Sequence, residues 1–152
     1  DALPIYGHLV ATPDAPPQQL DFGDGPVLCA PLSFGDLVTA WHSTGVANIA
    51  MFVHITGEAF PDGDLSQLPD GPSQAQRDAH RARAVAEVTA ADGSVARSVI
   101  ETVNGYSYTP LAAVEAARRV LGGERRVGFA TPAGLFGVGF AQTIAGTRII
   151  DL

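Results

Sequence analysis

Strict alternation of small apolar and polar residues is the clearest pattern in the chain. Ala82, Ala84, Ala86, Val88 and Ala90 alternate with Arg83, Val85, Glu87 and Thr89, and beyond Asp92-Gly93 the residues Val95, Val99 and Val103 alternate with polar neighbours. Two period-two runs around a pair of residues able to take positive φ predict a β-hairpin. A helical period follows over residues 110–121, where Leu111, Val114, Ala117 and Leu121 line one face with Val120 beside them. Thr109 is the expected N-cap, and Pro110 the first helical residue, where a missing N–H costs nothing. Arg118 and Arg119 then stand at the negative end of the helix dipole, and Gly122 terminates the helix.

Weaker signals complete the plan. Residues 19–22 and 26–32 read as short strands around the turn Gly23-Asp24-Gly25. A short helix over 36–42 starts from Ser33 or Gly35, with Ser33 or Asp36 supplying oxygen acceptors, and stops at Gly45. The apolar run 46–56 reads as a central strand buried on both faces. Ser73 opens a polar helix reaching about His80, and residues 140–144 form a last strand. Residues 7–18 are read as a connecting loop, and residues 57–72 as a long acidic loop, the most mobile part of the chain. Strands outnumber helices and the readable pair is antiparallel. The expected class is α+β: a mixed or mostly antiparallel sheet with helices packed on one face.

Composition narrows the function. At 152 residues with 46% hydrophobic residues, the chain is long enough for one domain with a real core. Its longest apolar stretch, residues 46–55, is broken by Asn48 and His54 and is too short for a membrane span. A net charge of −7 argues against nucleic acid as a partner. All nine basic residues are Arg, so no lysine amine can form a Schiff base or act as a base. The single cysteine, Cys29, lies in an apolar run and reads as an inert buried thiol, in keeping with a reducing, cytoplasmic compartment.

The opening Asp1-Ala2-Leu3-Pro4-Ile5 also translates GACGCTCTTCCGATC, the end of a common sequencing adapter, whose next base begins a Tyr codon. Residues 1–5 are therefore expected to be a technical artefact, residues 6–18 a linker, and residues 19–152 the domain proper.

Candidate chemistry concentrates in His42-Ser43-Thr44-Gly45, which joins the short helix to the apolar strand and gathers an imidazole, two hydroxyls and a flexible glycine. An imidazole there can exchange a proton near pH 7. The alternative role is local, with Ser43 and Thr44 satisfying the last carbonyls of the helix. Asp36 and Thr39 share that element, Asp36 reading first as a helix-start residue. Tyr106 and Tyr108 flank Ser107, and alternation would turn both phenols to one side, towards a crevice or a packed neighbour. His54 reads as a satisfied core histidine, and His8 and His80 as exposed. Arg77, Arg81, Arg83, Arg125 and Arg126 read as solvated surface. The histidines lack metal-ligand spacing, and Asp62, Asp64 and Asp70 lack the remaining ligands of a calcium loop, so no metal is expected.

Three blocks, in order, resemble the C-terminal half of saccharopine dehydrogenase-like NAD(P)-binding oxidoreductases. They are Asp21-Phe22-Gly23-Asp24-Gly25 with residues 35–46; Gly105-Tyr106 leading to Thr109-Pro110 and residues 112–123; and residues 128–134 through Phe136-Gly137 and Phe140. The match covers about residues 19–146, with one departure: Val46-Ala47-Asn48 replaces the family's frequent Ile-Pro-Asn. The resemblance implies a substrate-side and dimer-forming part of a larger enzyme. An N-terminal Rossmann domain, acting in cis, would bind NAD or NADP, and a small-molecule substrate would meet His42, Ser43, Thr44, Gly45 and Tyr106. No Gly-x-Gly-x-x-Gly opens a helix after a strand here, so this chain is expected to bind no cofactor and to be inactive alone. The competing reading is a free-standing α+β module for a small ligand or for oligomerisation.

Overall fold

The computed structural model describes residues 2–11, 15–54, 64–67 and 70–152. The chain divides into two compact units, Asp1–Gly63 and Asp64–Leu152. Both mix antiparallel strands with helices, so the α+β class holds; the strands are shared among three small sheets.

In the first unit, β1 (Ala2–Ile5) pairs antiparallel with β2 (His8–Ala11). Tyr6 and Gly7 between them both take positive φ, 49° and 74°, as a two-residue hairpin turn of the mirror-image kind requires. Residues 8–11 are thus strand where a loop is expected: their short run carries no period, and the hairpin partner supplies the pairing. β3 (Gln18–Asp21), β4 (Pro26–Pro31) and β5 (Phe52–Val53) form a second sheet with β4 in the middle. The expected turn joins β3 to β4. Asp21 closes it by accepting from the backbone N–H groups of Gly23 (2.7 Å) and Gly25 (2.9 Å).

β5 departs from the expected central strand. Only two residues of the apolar run pair with β4, at a sheet edge and half-buried, while Ile55 and Thr56 lie outside the described residues. The chain ahead of it is drawn elsewhere, because the Ile49 N–H donates to the Pro4 carbonyl at 3.0 Å. The helix α1 (Gly35–Thr44) begins after Phe34, which provides no side-chain cap; Asp36 instead accepts from the next N–H, that of Leu37, at 3.1 Å. Pro4, Cys29 and Leu37 form the fully or nearly fully buried centre of this unit. The Cys29 thiol is wholly enclosed, as expected of an inert one.

The second unit opens with a short 3₁₀ turn (Leu65–Gln67) and α2 (Gln74–Ala79). Ser73 and Gln76 make a reciprocal capping box at the start of α2. The predicted hairpin follows as β6 (Ala82–Thr89) and β7 (Val95–Thr102). Its three-residue loop is closed by the Gly93 N–H donating to the Ala90 carbonyl at 3.0 Å, with Gly93 at φ 85°. β8 (Arg148–Asp151) adds to the other edge of β7.

The main helix, α3 (Gly105–Leu121), starts five residues before the expected Pro110. Asn104 is the stronger cap: its side-chain oxygen accepts from the Tyr106 N–H at 3.0 Å while its amide donates to the His80 carbonyl at 3.2 Å. Pro110 is therefore inside the helix, in its second turn, where it forgoes the bond its missing N–H would have given the Tyr106 carbonyl and its ring crowds that carbonyl. The tail also differs. Residues 140–144 form a 3₁₀ turn (Phe140–Thr143), preceded by α4 (Pro132–Phe136), whose cap Thr131 accepts from the Gly134 N–H. Phe140 and Ile144 are buried four residues apart, a helical spacing that the short apolar run concealed. With Val99, Glu101 and Thr102 they form the interior of this unit.

Candidate functional site

The residues His42-Ser43-Thr44-Gly45 end α1. Ser43 Oγ donates to the Thr39 carbonyl and Thr44 Oγ1 to the Ala40 carbonyl, each at 2.7 Å. Thr44 Oγ1 also accepts from the Val46 N–H at 3.2 Å, and Thr39 Oγ1 donates to the Asp36 carbonyl at 3.0 Å. Gly45 closes the helix in the left-handed region (φ 70°), its N–H donating to the Trp41 carbonyl at 2.8 Å. The hydroxyls of Ser43 and Thr44 thus spend their protons on carbonyls one turn back, the local role weighed above. Their oxygens keep acceptor capacity towards solvent, since all four residues are exposed. The His42 ring sits 6.4 Å from that of Trp41.

The segment following this motif is braced from the N-terminal hairpin. The Gly7 N–H donates to the Ala47 carbonyl at 2.9 Å, and the Tyr6 N–H to Asn48 Oδ1 at 2.9 Å.

Tyr106 lies in the second unit, at the start of α3, and is 68% exposed. Because residues 106–108 are helical, the two phenols diverge by about 200° instead of sharing a side. Tyr108 is half-buried, and loss of water pushes its hydroxyl above the usual phenol range. His54 is exposed, not in the core; its Nδ1 meets the Leu28 carbonyl at 2.9 Å. His8 and His80 are exposed as expected. Asp62 lies outside the described residues. Hydrogen bonds from Ser66 hold the Asp64 carboxyl below the usual range.

A cluster that sequence reading did not assemble lies on the second unit's sheet. Arg83 on β6 and Arg148 on β8 stand directly opposite Glu101 on the central strand β7. Arg83 Nε meets Glu101 Oε2 at 2.9 Å; Arg148 Nη2 meets Oε1 at 3.2 Å. Arg81, just ahead of β6, brings its Nε to the same Oε1 at 2.8 Å and donates from Nη2 to the Gly146 carbonyl. The hydrogen bond from Arg83, followed by the charges of Arg148 and Arg81, holds the Glu101 carboxyl below its ordinary range despite its burial. Arg81 and Arg83 are therefore tied down, not freely solvated. Arg77 is held as well, by the Pro72 carbonyl and Gln74.

A second basic group closes the tail. Arg119 lies over the Phe136 ring at 4.5 Å and pairs with Glu124, and Phe136 stacks on Phe140 with centroids 5.0 Å apart. This contact fastens the C-terminal turn of α3 to α4.

β4 leads into α1 through Leu32-Ser33-Phe34, with Phe34 at the N-cap. No helix among the described residues is long and apolar enough to cross a membrane. Comparison of the chain with protein-family models, with curated proteins and with solved structures returns no match.

Proposed function

We propose that this chain is the substrate-side and oligomerisation part of an NAD(P)-dependent, saccharopine dehydrogenase-like oxidoreductase. Its hydride carrier is held by a Rossmann domain outside this sequence. The resemblance of the three sequence blocks supports this reading, and so, for an incomplete unit, does the outer face of α3. Tyr106, Pro110, Ala113, Val114, Ala117 and Leu121 fall on one side of the helix, and all are exposed, Val114 by 69% and Leu121 by 88%. No residue of this 17-residue helix is buried. A stable helix of that length ordinarily draws its stability from packing an apolar face. An uncharged stripe about 25 Å long is thus a surface made for a partner.

In this reading the protein cooperates with the missing domain by presenting His42, Ser43, Thr44 and Gly45, and separately Tyr106, to a small-molecule substrate. His42 offers a proton donor or acceptor, and the two hydroxyl oxygens accept hydrogen bonds while their protons are held by α1. The nicotinamide supplies the hydride when the missing domain carries it; the chain's own groups orient the substrate.

The test is the coding DNA upstream of the Tyr6 codon. An in-frame strand–Gly-x-Gly-x-x-Gly–helix unit is expected. A stop codon closely followed by a start codon would overturn the proposal and leave a free-standing domain. The purified chain mixed with NADH or NADPH is expected to show no turnover.

A further inference from the structure

The six residues of the exposed stripe on α3 are arranged about a centre. Tyr106 and Leu121, Pro110 and Ala117, and Ala113 and Val114 lie pairwise at equal distances from the midpoint between residues 113 and 114. At about 100° per residue all six fall within an arc of about 100°, and no other residue of the helix enters that arc. None of the six is charged, and all are exposed. The opposite side of α3 carries Tyr108, Ala112, Glu115 and Arg119, each half-buried. The helix therefore rests on that side and turns the symmetric stripe outward.

A stripe that reads the same from either end fits an isologous, two-fold contact, in which one patch meets its own copy. Reversing a second helix about the midpoint sets Tyr106 level with Leu121 of the second copy, Pro110 with its Ala117, and Ala113 with its Val114. The large side chains then stand at the ends, while Pro110, Ala113 and Ala117 keep the middle thin. Two such helices can approach to about 8 Å between axes, the close end of helix packing. Antiparallel alignment also places the positive end of each dipole beside the negative end of the other, whereas parallel alignment would set like ends together. The nearest charge is Arg118, about 90° from the centre of the stripe. It is held by Glu115 of its own helix at 2.7 and 2.8 Å. In the antiparallel pair its two images stand about 13 Å apart along the axis, beyond the screening length of about 8 Å at physiological salt. A contact about 25 Å long and about 10–12 Å wide buries on the order of 1,000 Å² in total, at the low end of specific interfaces. That size suits a dimer that forms and dissociates.

We infer that the partner of this face is a second copy of the chain, bound through α3 packed antiparallel against α3 about a two-fold axis between residues 113 and 114. The inference rests on the reading of the stripe as a docking surface and names its occupant.

Sedimentation velocity of the full chain over a concentration series is the test. A reversible monomer–dimer equilibrium with a Kd of about 10–100 µM is expected. Ala113→Glu and Ala113→Arg should each weaken it tenfold or more, and a one-to-one mixture of the two variants should recover the dimer, which a misfolded variant could not do. Val95→Glu, which alters an exposed apolar residue at the start of β7, should leave it unchanged. Oxidative cross-linking reads the orientation. In the antiparallel pair the Cα atoms of two Ala113→Cys chains lie about 5 Å apart, within disulfide range, and those of two Ala117→Cys chains about 11 Å apart, outside it. Cys29 is buried and does not compete. A chain monomeric at every concentration overturns the proposal, all the more if Ala113→Glu lowers its melting temperature, since the face would then be covered within the chain. A dimer indifferent to Ala113→Glu, or cross-linked through Ala117→Cys as readily as through Ala113→Cys, overturns it too. Its failure is distinct from that of the oxidoreductase reading: a monomer whose upstream DNA encodes the strand–Gly-x-Gly-x-x-Gly–helix unit keeps that reading and loses this one, and a dimer behind a stop codon does the reverse.

Discussion

Replacing Phe140 with alanine measures how far the second unit depends on one small interior. Phe140 is 5% exposed, stacks on Phe136 and lies within 5.8 Å of the Arg119 guanidinium. A phenylalanine buries about 150–250 Å². At about 25 cal/mol per Å² that is worth about 4–6 kcal/mol. Residual compactness of the unfolded chain trims the figure to about 3–5 kcal/mol, the range seen for Phe→Ala in packed interiors. A unit of roughly 90 residues has a total stability of about 4–13 kcal/mol, so this single change should remove a large share of it. Urea denaturation followed by far-UV circular dichroism is the assay, with Val127→Ala as the reference, since Val127 is fully exposed. The reference should stay within about 0.5 kcal/mol of wild type. A cost for Phe140→Ala no greater than that of Val127→Ala would show that the stacked rings and the turn beneath them are not the unit's core.

Other expectations follow from particular contacts. The Glu101 carboxyl is held below its usual range by Arg83, then Arg148 and Arg81. Its stabilising contribution is therefore full above the ordinary carboxylate range and lost as pH falls through its lower folded value. A pH series of urea midpoints should show that acid loss, and Glu101→Gln should flatten it; an unchanged acid limb would refute the role of the cluster. Gly45→Ala places a side chain at φ 70° at the end of α1 and should cost about 1–2 kcal/mol, read by thermal melting. Ser73→Ala removes half of a capping box and should cost about 1 kcal/mol, seen as faster amide exchange in α2.

The hairpin, the polar helix after Ser73 and the stop at Gly45 were legible because each rests on local chemistry: alternation, a serine cap and a left-handed glycine. The start of α3 was misplaced because Pro110 is a loud signal for a first helical residue. The quieter Asn104 wins by bonding in both directions, to Tyr106 and to His80. β5 was overread, since a continuous apolar run does not say how many of its residues find a partner strand. The charge cluster was missed although half of it was computable. In a three-residue loop centred on Asp92, Arg83 falls opposite Glu101. Arg148 and Arg81 could not be placed that way, because β8 joins from 46 residues beyond β7 and Arg81 precedes the paired region. The exposure of His54 was likewise invisible in an apolar context.

The loop at Ala91-Asp92-Gly93 also bears on how this chain can vary. Surface loops usually accept insertions and deletions freely. This one sets the pairing register of β6 against β7, and a slip of one residue turns a strand over. A one-residue slip of that pairing would move Glu101 and Arg83 to opposite sides of the sheet, dissolving the cluster without touching any of its members. Related sequences should therefore vary in what the turn contains while keeping positions 90 and 94 face to face, so that a charge arrangement is inherited through the closure of a turn some nine residues away.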